Sequence, residues 1–226
     1  MNYVIGDVHG CGLELMALVR QIEKQDRKAK FVLVGDCFDR GMHGSTVWKL
    51  IRDYDMQVIL GNHDVKMLQF ISGERQYLPP HYHYFLKQMG PRVEPLIPFL
   101  VNLPLMLTLP GHIIVHGGVN VNDPLAENID WNVYGREPKS ERAPLHGWWD
   151  EYRGDDIVLY GHTTTEVDSE PRISKYRGRI TSIGLDTWCV HGGTLTAYCI
   201  ETKKFHRYKS GVNWFKELKR SLSEKN

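Results

Sequence analysis

Long apolar runs are missing from this chain. Nowhere do its 226 residues approach the roughly 18 consecutive apolar positions of a membrane-spanning helix, so no membrane partner is expected. No Gly/Ser/Pro-rich linker or composition break divides the chain, so one domain over residues 1–226 is expected. An excess of one charge is missing too: 28 Lys and Arg against 27 Asp and Glu give a net charge of +1. Without a basic field, no nucleic-acid partner is expected. The four cysteines, Cys11, Cys37, Cys189 and Cys199, form no Cys-x-x-Cys pair. That excludes an obvious disulfide frame and suggests reduced thiols in a cytoplasm. Met1 leads directly into a strand-like segment, and no signal peptide is expected. What remains is the composition of a globular protein, 42% hydrophobic and 24% charged, with 11 His whose positions carry the argument.

The chain is organised around Gly35-Asp36-Cys37-Phe38-Asp39-Arg40-Gly41. The short β-branched run Phe31–Val34 leads into it and reads as a buried strand. Two carboxylates and a guanidinium at a strand end suggest a binding role, and the same design recurs. Tyr3-Val4-Ile5 ends in Gly6-Asp7-Val8-His9-Gly10, where Asp7 and His9, two apart, point the same way in extended chain. Gln57–Leu60 ends in Gly61-Asn62-His63-Asp64, Ile113–Val115 in His116-Gly117-Gly118, and Asp156–Leu159 in Tyr160-Gly161-His162-Thr163. Leu15, Leu18, Val19 and Ile22 have helical spacing between the first two strands, which predicts a parallel βαβ unit and an α/β fold. A second helix is predicted over 45–54. Open α/β sheets place their sites beyond the carboxyl ends of strands.

Residues 65–110 read as an inserted helical cap, broken at Leu78-Pro79-Pro80. His81 and His83 are expected at its rim rather than among metal ligands, because no carboxylate lies near them in sequence. The long connection 119–152 is expected to face substrate. Thr194–Ile200, after Gly192-Gly193, reads as part of a hairpin turning at the glycines. Residues 212–223 read as an amphipathic surface helix with a solvated polar face.

Asp7, His9, Asp36, Asn62, His116 and His162 offer oxygen and imidazole donors without thiolate, which suits Mn, Fe or Zn. Six donors exceed what one catalytic ion takes while keeping open positions, but they serve two ions that share Asp36. Such a pair clamps the oxygens of an in-line phosphoryl displacement and acidifies a bridging water to a hydroxide nucleophile. His63 is then available as general acid, with Asp39 accepting its ring N–H and fixing its tautomer. Arg40 and Arg136 are candidate phosphate ligands.

The five motifs, in order over residues 6–163, resemble the phosphoprotein-phosphatase family of calcineurin-like metallophosphoesterases. The resemblance implies a four-layer αββα sandwich and a dinuclear centre, often manganese-activated. It implies Asp7, His9 and Asp36 on one ion, and Asp36, Asn62, His116 and His162 on the other. Asn62 and Arg40 would also face the substrate phosphate, with His63 and Asp39 as the acid and its orienting partner. Arg136 resembles the second phosphate arginine of the small bacterial and phage-type enzymes. Asp39 and the short length are similar to those serine/threonine protein phosphatases. Asp64, where they usually carry Glu, is similar to the symmetrical diadenosine tetraphosphate hydrolases. Trp188 stands where the family commonly has Gly. The expected reaction is hydrolysis of phosphoserine or phosphothreonine in proteins; the alternative is symmetrical hydrolysis of diadenosine tetraphosphate.

Overall fold

The period-two pattern of a strand normally separates an apolar face from a polar one, but the central strands here are apolar on both. In the computed structural model, which describes residues 1–135, 147–164 and 169–224, this builds two stacked sheets with helices outside them. In β1 (Asn2–Ile5), Tyr3 and Ile5 face the outer helices while Val4 faces the opposite sheet. In β2 (Lys30–Leu33), Phe31 and Leu33 face out and Val32 faces in. The second sheet mirrors this. Ile114 of β5 (His112–Val115) and Leu159 of β6 (Ile157–Tyr160) join Val4 and Val32 in the inter-sheet core. Ile113, Val115, Val158 and Tyr160 pack outward with Trp148 and Tyr152.

The first sheet has the order β10-β9-β1-β2-β3, with β3 at Gln57–Val58, β9 at Thr194–Cys199 and β10 at Phe205–Lys209. The second has the order β4-β5-β6-β8-β7, with β4 at Met106–Leu109, β7 at Arg172–Tyr176 and β8 at Arg179–Gly184. β1, β2 and β3 run parallel, as do β5, β6 and β8, so their carboxyl ends gather at one edge. The register sets Ile5 opposite Leu33, which starts the Gly6 and Gly35 loops side by side. Helix α1 (Gly12–Glu23) buries Leu15, Leu18, Val19 and Ile22, and α2 (Gly44–Asp53) buries Val47, Leu50 and Ile51. No helix among the described residues is long and apolar enough to cross a membrane, and all four cysteines are buried free thiols.

Two expectations change, and one element is new. The helical insertion consists of α3 (Asn62–Ile71), α4 (Pro80–Met89) and α5 (Val93–Val101), and it ends before residue 110 because Met106–Leu109 pairs with β5 as an edge strand. The hairpin of β9 turns at its far end onto β10, because Gly192, with φ of 96°, closes a short helical turn instead. A hairpin that the sequence pattern does not announce joins β7 to β8 through Arg177 and Gly178, with φ of 50° and 80°. These are the angles of a tight two-residue turn, but without its usual Asn-Gly signature. Within 119–152, α7 (Trp148–Glu151) packs behind the second sheet, while α6 (Ile129–Tyr134) sets Trp131 against that face and Val133 against Leu60 and Val65.

Candidate active site

Five loops that follow buried strands bring the predicted donors together. Asp7, His9, Asp36, Asn62 and His116 are all buried, and His162 stands beside them. Asp36 lies at the centre. Its Oδ2 is 3.5 Å from His9 Nε2, which is 4.0 Å from Asp7 Oδ2. Its Oδ1 is 3.4 Å from His116 Nε2, which is 3.2 Å from Asn62 Oδ1. Donor atoms of Asp36, His116 and His162 lie within 4.8 Å of one another, as do those of His9, Asp36 and His63. One carboxylate thus faces two groups of donors, one with each oxygen.

The backbone is arranged for this convergence at a cost. His9, Asp36, Arg40 and His162 have φ of 44°, 50°, 66° and 61°, each a conformation worth roughly 1–3 kcal/mol of strain in a non-glycine residue. Gly61 and Gly161 allow close approach: a Cβ would stand 2.3 Å from Asp36 Oδ1 at the first and 2.0 Å from Asp7 Oδ1 at the second. Asp64, a family marker in the sequence, accepts N–H bonds from Asp36 and Gly61, both 3.0 Å, so it locks one loop to the other. Asp36 Oδ1 in turn accepts the N–H of His63 at 2.9 Å. Asp7 accepts the N–H of His162 at 3.2 Å, and His116 donates Nδ1–H to Val34 O at 2.8 Å, which leaves its Nε2 facing Asp36 and Asn62.

Electrostatics follow from five buried aspartates, Asp7, Asp36, Asp39, Asp64 and Asp186. Burial, then the Asp186 charge, pushes Asp7 well above the carboxylate range. Burial and the Asp36 charge raise Asp64 to about 7, and burial raises Asp186 to about 6. Burial also opposes ionisation of Asp36, but the His116 and His63 rings outweigh it and hold this carboxyl well below its usual range. His9 is lowered to about 4 by burial and the Arg40 guanidinium. This concentration of desolvated carboxylates, with hard oxygen and imidazole donors and no thiolate, fits one or more divalent cations.

A second network flanks the donors. Asp39 Oδ1 accepts from His9 Nδ1 at 2.9 Å, and Asp39 Oδ2 from His63 Nδ1 at 2.6 Å. Arg40 donates Nη1–H to His9 Nε2 at 3.0 Å and Nη2–H to His63 Nε2 at 2.9 Å. His63 and Asp39 are therefore paired through Nδ1 and Oδ2. Arg136 lies outside the described residues.

The wall of the cleft departs from the sequence-based expectation. His81 has a carboxylate after all: its Nε2 is 3.2 Å from Asp39 Oδ2, brought there by α4. Tyr82 places its hydroxyl 2.9 Å from His63 Nδ1 and stacks on that ring. His83 points away, exposed against Phe70. Helix α8 (Trp214–Ser223) is more than a surface helix. Buried Glu14 accepts from Trp214 Nε1 at 2.6 Å, and Phe215 lies under Arg40 and against His81. The cleft over Arg40, His63 and His162, about 520 Å³, is also lined by Lys66, Arg75, Trp188 and Phe215. The amphipathic spacing of α8 signals burial of one face; nothing in it names the partner.

A family model described as calcineurin-like phosphoesterase matches residues 3–180. The chain is 27% identical to the bis(5'-nucleosyl)-tetraphosphatase PrpE (asymmetrical) of Oceanobacillus iheyensis, over 89% of each chain. It is 28% identical to the symmetrical bis(5'-nucleosyl)-tetraphosphatase of Janthinobacterium sp. (strain Marseille), over 87% of this chain and 91% of that one. The fold superposes on the crystal structure of a candidate diadenosine tetraphosphatase with a TM-score of 0.71 at 22% identity, covering 94% of each.

Proposed function

The chain belongs to the calcineurin-like phosphoesterase family, and we propose that it is a metal-dependent hydrolase that cleaves a P–O–P bridge in bis(5'-nucleosyl) tetraphosphates. The expectation of a phosphoserine or phosphothreonine substrate gives way to its alternative. The observation that carries this is near full-length similarity to tetraphosphatases of both cleavage patterns. The cleft agrees with it: Lys66 and Arg75 add cations beyond Arg40, more than a single phosphomonoester requires.

Asp7, His9 and Asp36 would hold one divalent ion, and Asp36, Asn62, His116 and His162 a second, with Asp36 shared. Manganese, iron or zinc suits these donors. Bound there, the ions supply Lewis acidity toward water and the phosphoryl oxygens. The chain's own groups do the rest. Arg40 holds the phosphate oxygens and stabilises the charge that builds on them. In the structure its guanidinium donates to His63 Nε2. Transfer of that donor to a phosphate frees Nε2 to take a proton from water and pass it to the leaving oxygen. Asp39, held ionised because His63 outweighs its burial, stabilises the imidazolium and keeps Nδ1 protonated. Asn62 joins Arg40 in orienting the phosphate.

The test is turnover of diadenosine tetraphosphate against a phosphoserine peptide in Mn²⁺, with and without chelator. Two ADP would indicate symmetrical cleavage, and ATP with AMP asymmetrical cleavage. Faster release of phosphate from the peptide than cleavage of the dinucleotide would overturn the proposal.

A further inference from the structure

Trp188 is a bulky aromatic held in the left-handed region, with φ of 68° and ψ of 27°. An L-residue of this size pays strain there that Gly would avoid. The backbone is pinned on every side. Trp188 N–H donates to Asp186 Oδ1 at 3.3 Å, and its carbonyl accepts from His191 N–H at 3.1 Å and Gly193 N–H at 2.9 Å. The indole it carries is only partly buried and lines the cleft above the donor groups. From there a wall of rings runs along one side. Trp188 lies 4.4 Å from His191, His191 meets Phe215 at 5.6 Å, and Phe215 meets His81 at 5.5 Å. The wall ends where His81 reaches Asp39. Lys66 and Arg75 line the same cleft.

Rings beside cations match one ligand chemistry, a planar aromatic base joined to a chain of phosphates. Every nucleobase offers a π-face, so stacking needs no particular hydrogen-bond pattern. We propose that Trp188, backed by His191, is the stacking platform for one nucleobase of the substrate, and so favours nucleoside-bearing polyphosphates over nucleoside-free ones. This rests on the dinucleoside polyphosphate reading above. A packing role alone gives no reason for the strain, since Gly would satisfy the same backbone hydrogen bonds.

The experiment titrates manganese-loaded enzyme with two ligands by calorimetry: a methylene-bridged, uncleavable diadenosine tetraphosphate analogue, and inorganic tripolyphosphate. The expected result is that Trp188→Gly weakens the analogue about tenfold or more and leaves tripolyphosphate where it was, while Trp188→Phe keeps most of the affinity. Because Gly accepts this φ without strain, the Gly variant should fold, and its melting temperature is measured alongside. Equal loss for both ligands, loss for neither, or wild-type enzyme that binds the analogue no better than tripolyphosphate would each overturn the platform. Turnover of diadenosine tetraphosphate by the wild type is scored separately. Absent turnover with intact, Trp188-dependent analogue binding would sink the proposed reaction and leave the base platform standing.

Discussion

On the floor of the cleft, the polar groups come from loops that follow buried strands, and their freedom is small. Asp36 is held by Asp64 at its N–H and by His63 N–H at its carboxylate, and Gly61 has no room for a Cβ beside it. On the wall, the groups come from α4, from α8 and from the turn at Cys189–His191, and they meet mainly through rings. A floor built from backbone hydrogen bonds and close approach tolerates no displacement. A wall built from ring contacts can change its side chains and alter which ligand it accepts. The floor should therefore govern whether chemistry occurs, and the wall what it occurs on.

The sharpest break is Asp36→Asn. Removing the charge that both donor groups share should abolish turnover and reduce bound manganese, measured by elemental analysis of the dialysed protein; retained metal with full activity would refute a shared carboxylate. Next comes His63→Asn, expected to lower kcat by about 10²–10⁴-fold with metal content unchanged. Near wild-type kcat would remove His63 as the acid. Asp39→Asn acts through the rings it holds and should cost about 10–100-fold in kcat, with less effect on KM. A KM change larger than the kcat change would assign Asp39 to binding instead.

Stripping the metal gives a smaller effect that depends on pH. Burial lowers the pKa of His116, but Asp36 outweighs it and holds the ring at about 10, against about 6.5 in an unfolded chain. The folded state thus binds a proton that the unfolded state releases first. The resulting stability is complete below about pH 6.5 and is lost as the pH rises through 10. Chelator-treated protein should melt at a lower temperature at pH 10 than at pH 7, and His116→Gln should flatten that difference. An unchanged slope in the variant would assign it to other groups. The smallest effect is expected at Phe215. Phe215→Leu removes the ring under Arg40 and should raise KM about two- to fivefold. A kcat loss above tenfold would erase the division between floor and wall.

Much of the floor is legible in the amino-acid order alone. Gly6-Asp7-Val8-His9-Gly10 and its counterparts follow short apolar runs, and a run with both faces buried predicts a central strand whose carboxyl end is free for a site. The wall is less legible for a physical reason. His81 has no carboxylate nearby in sequence, yet Asp39 reaches it through the docking of α4. The polar face of α8 suggests a solvated helix, while Phe215 turns its ring toward the cleft. The β7–β8 hairpin escapes notice because Arg-Gly carries little of the turn preference that Asn-Gly does.

The sequence by itself determined the α/β architecture, the order of the donor-bearing loops and the chemistry of the donors. These rest on local periodicity, on glycine at strand ends and on the absence of thiolate among the candidates. Only the tertiary structure decided that Asp36 faces a different group of donors with each oxygen, that Arg40 spans His9 and His63, and that Tyr82, His81 and Phe215 enclose them. Such pairings depend on how sheets stack and amphipathic helices dock. A helical pattern states that one face will be buried, and leaves what it is buried against to the packing of the whole chain.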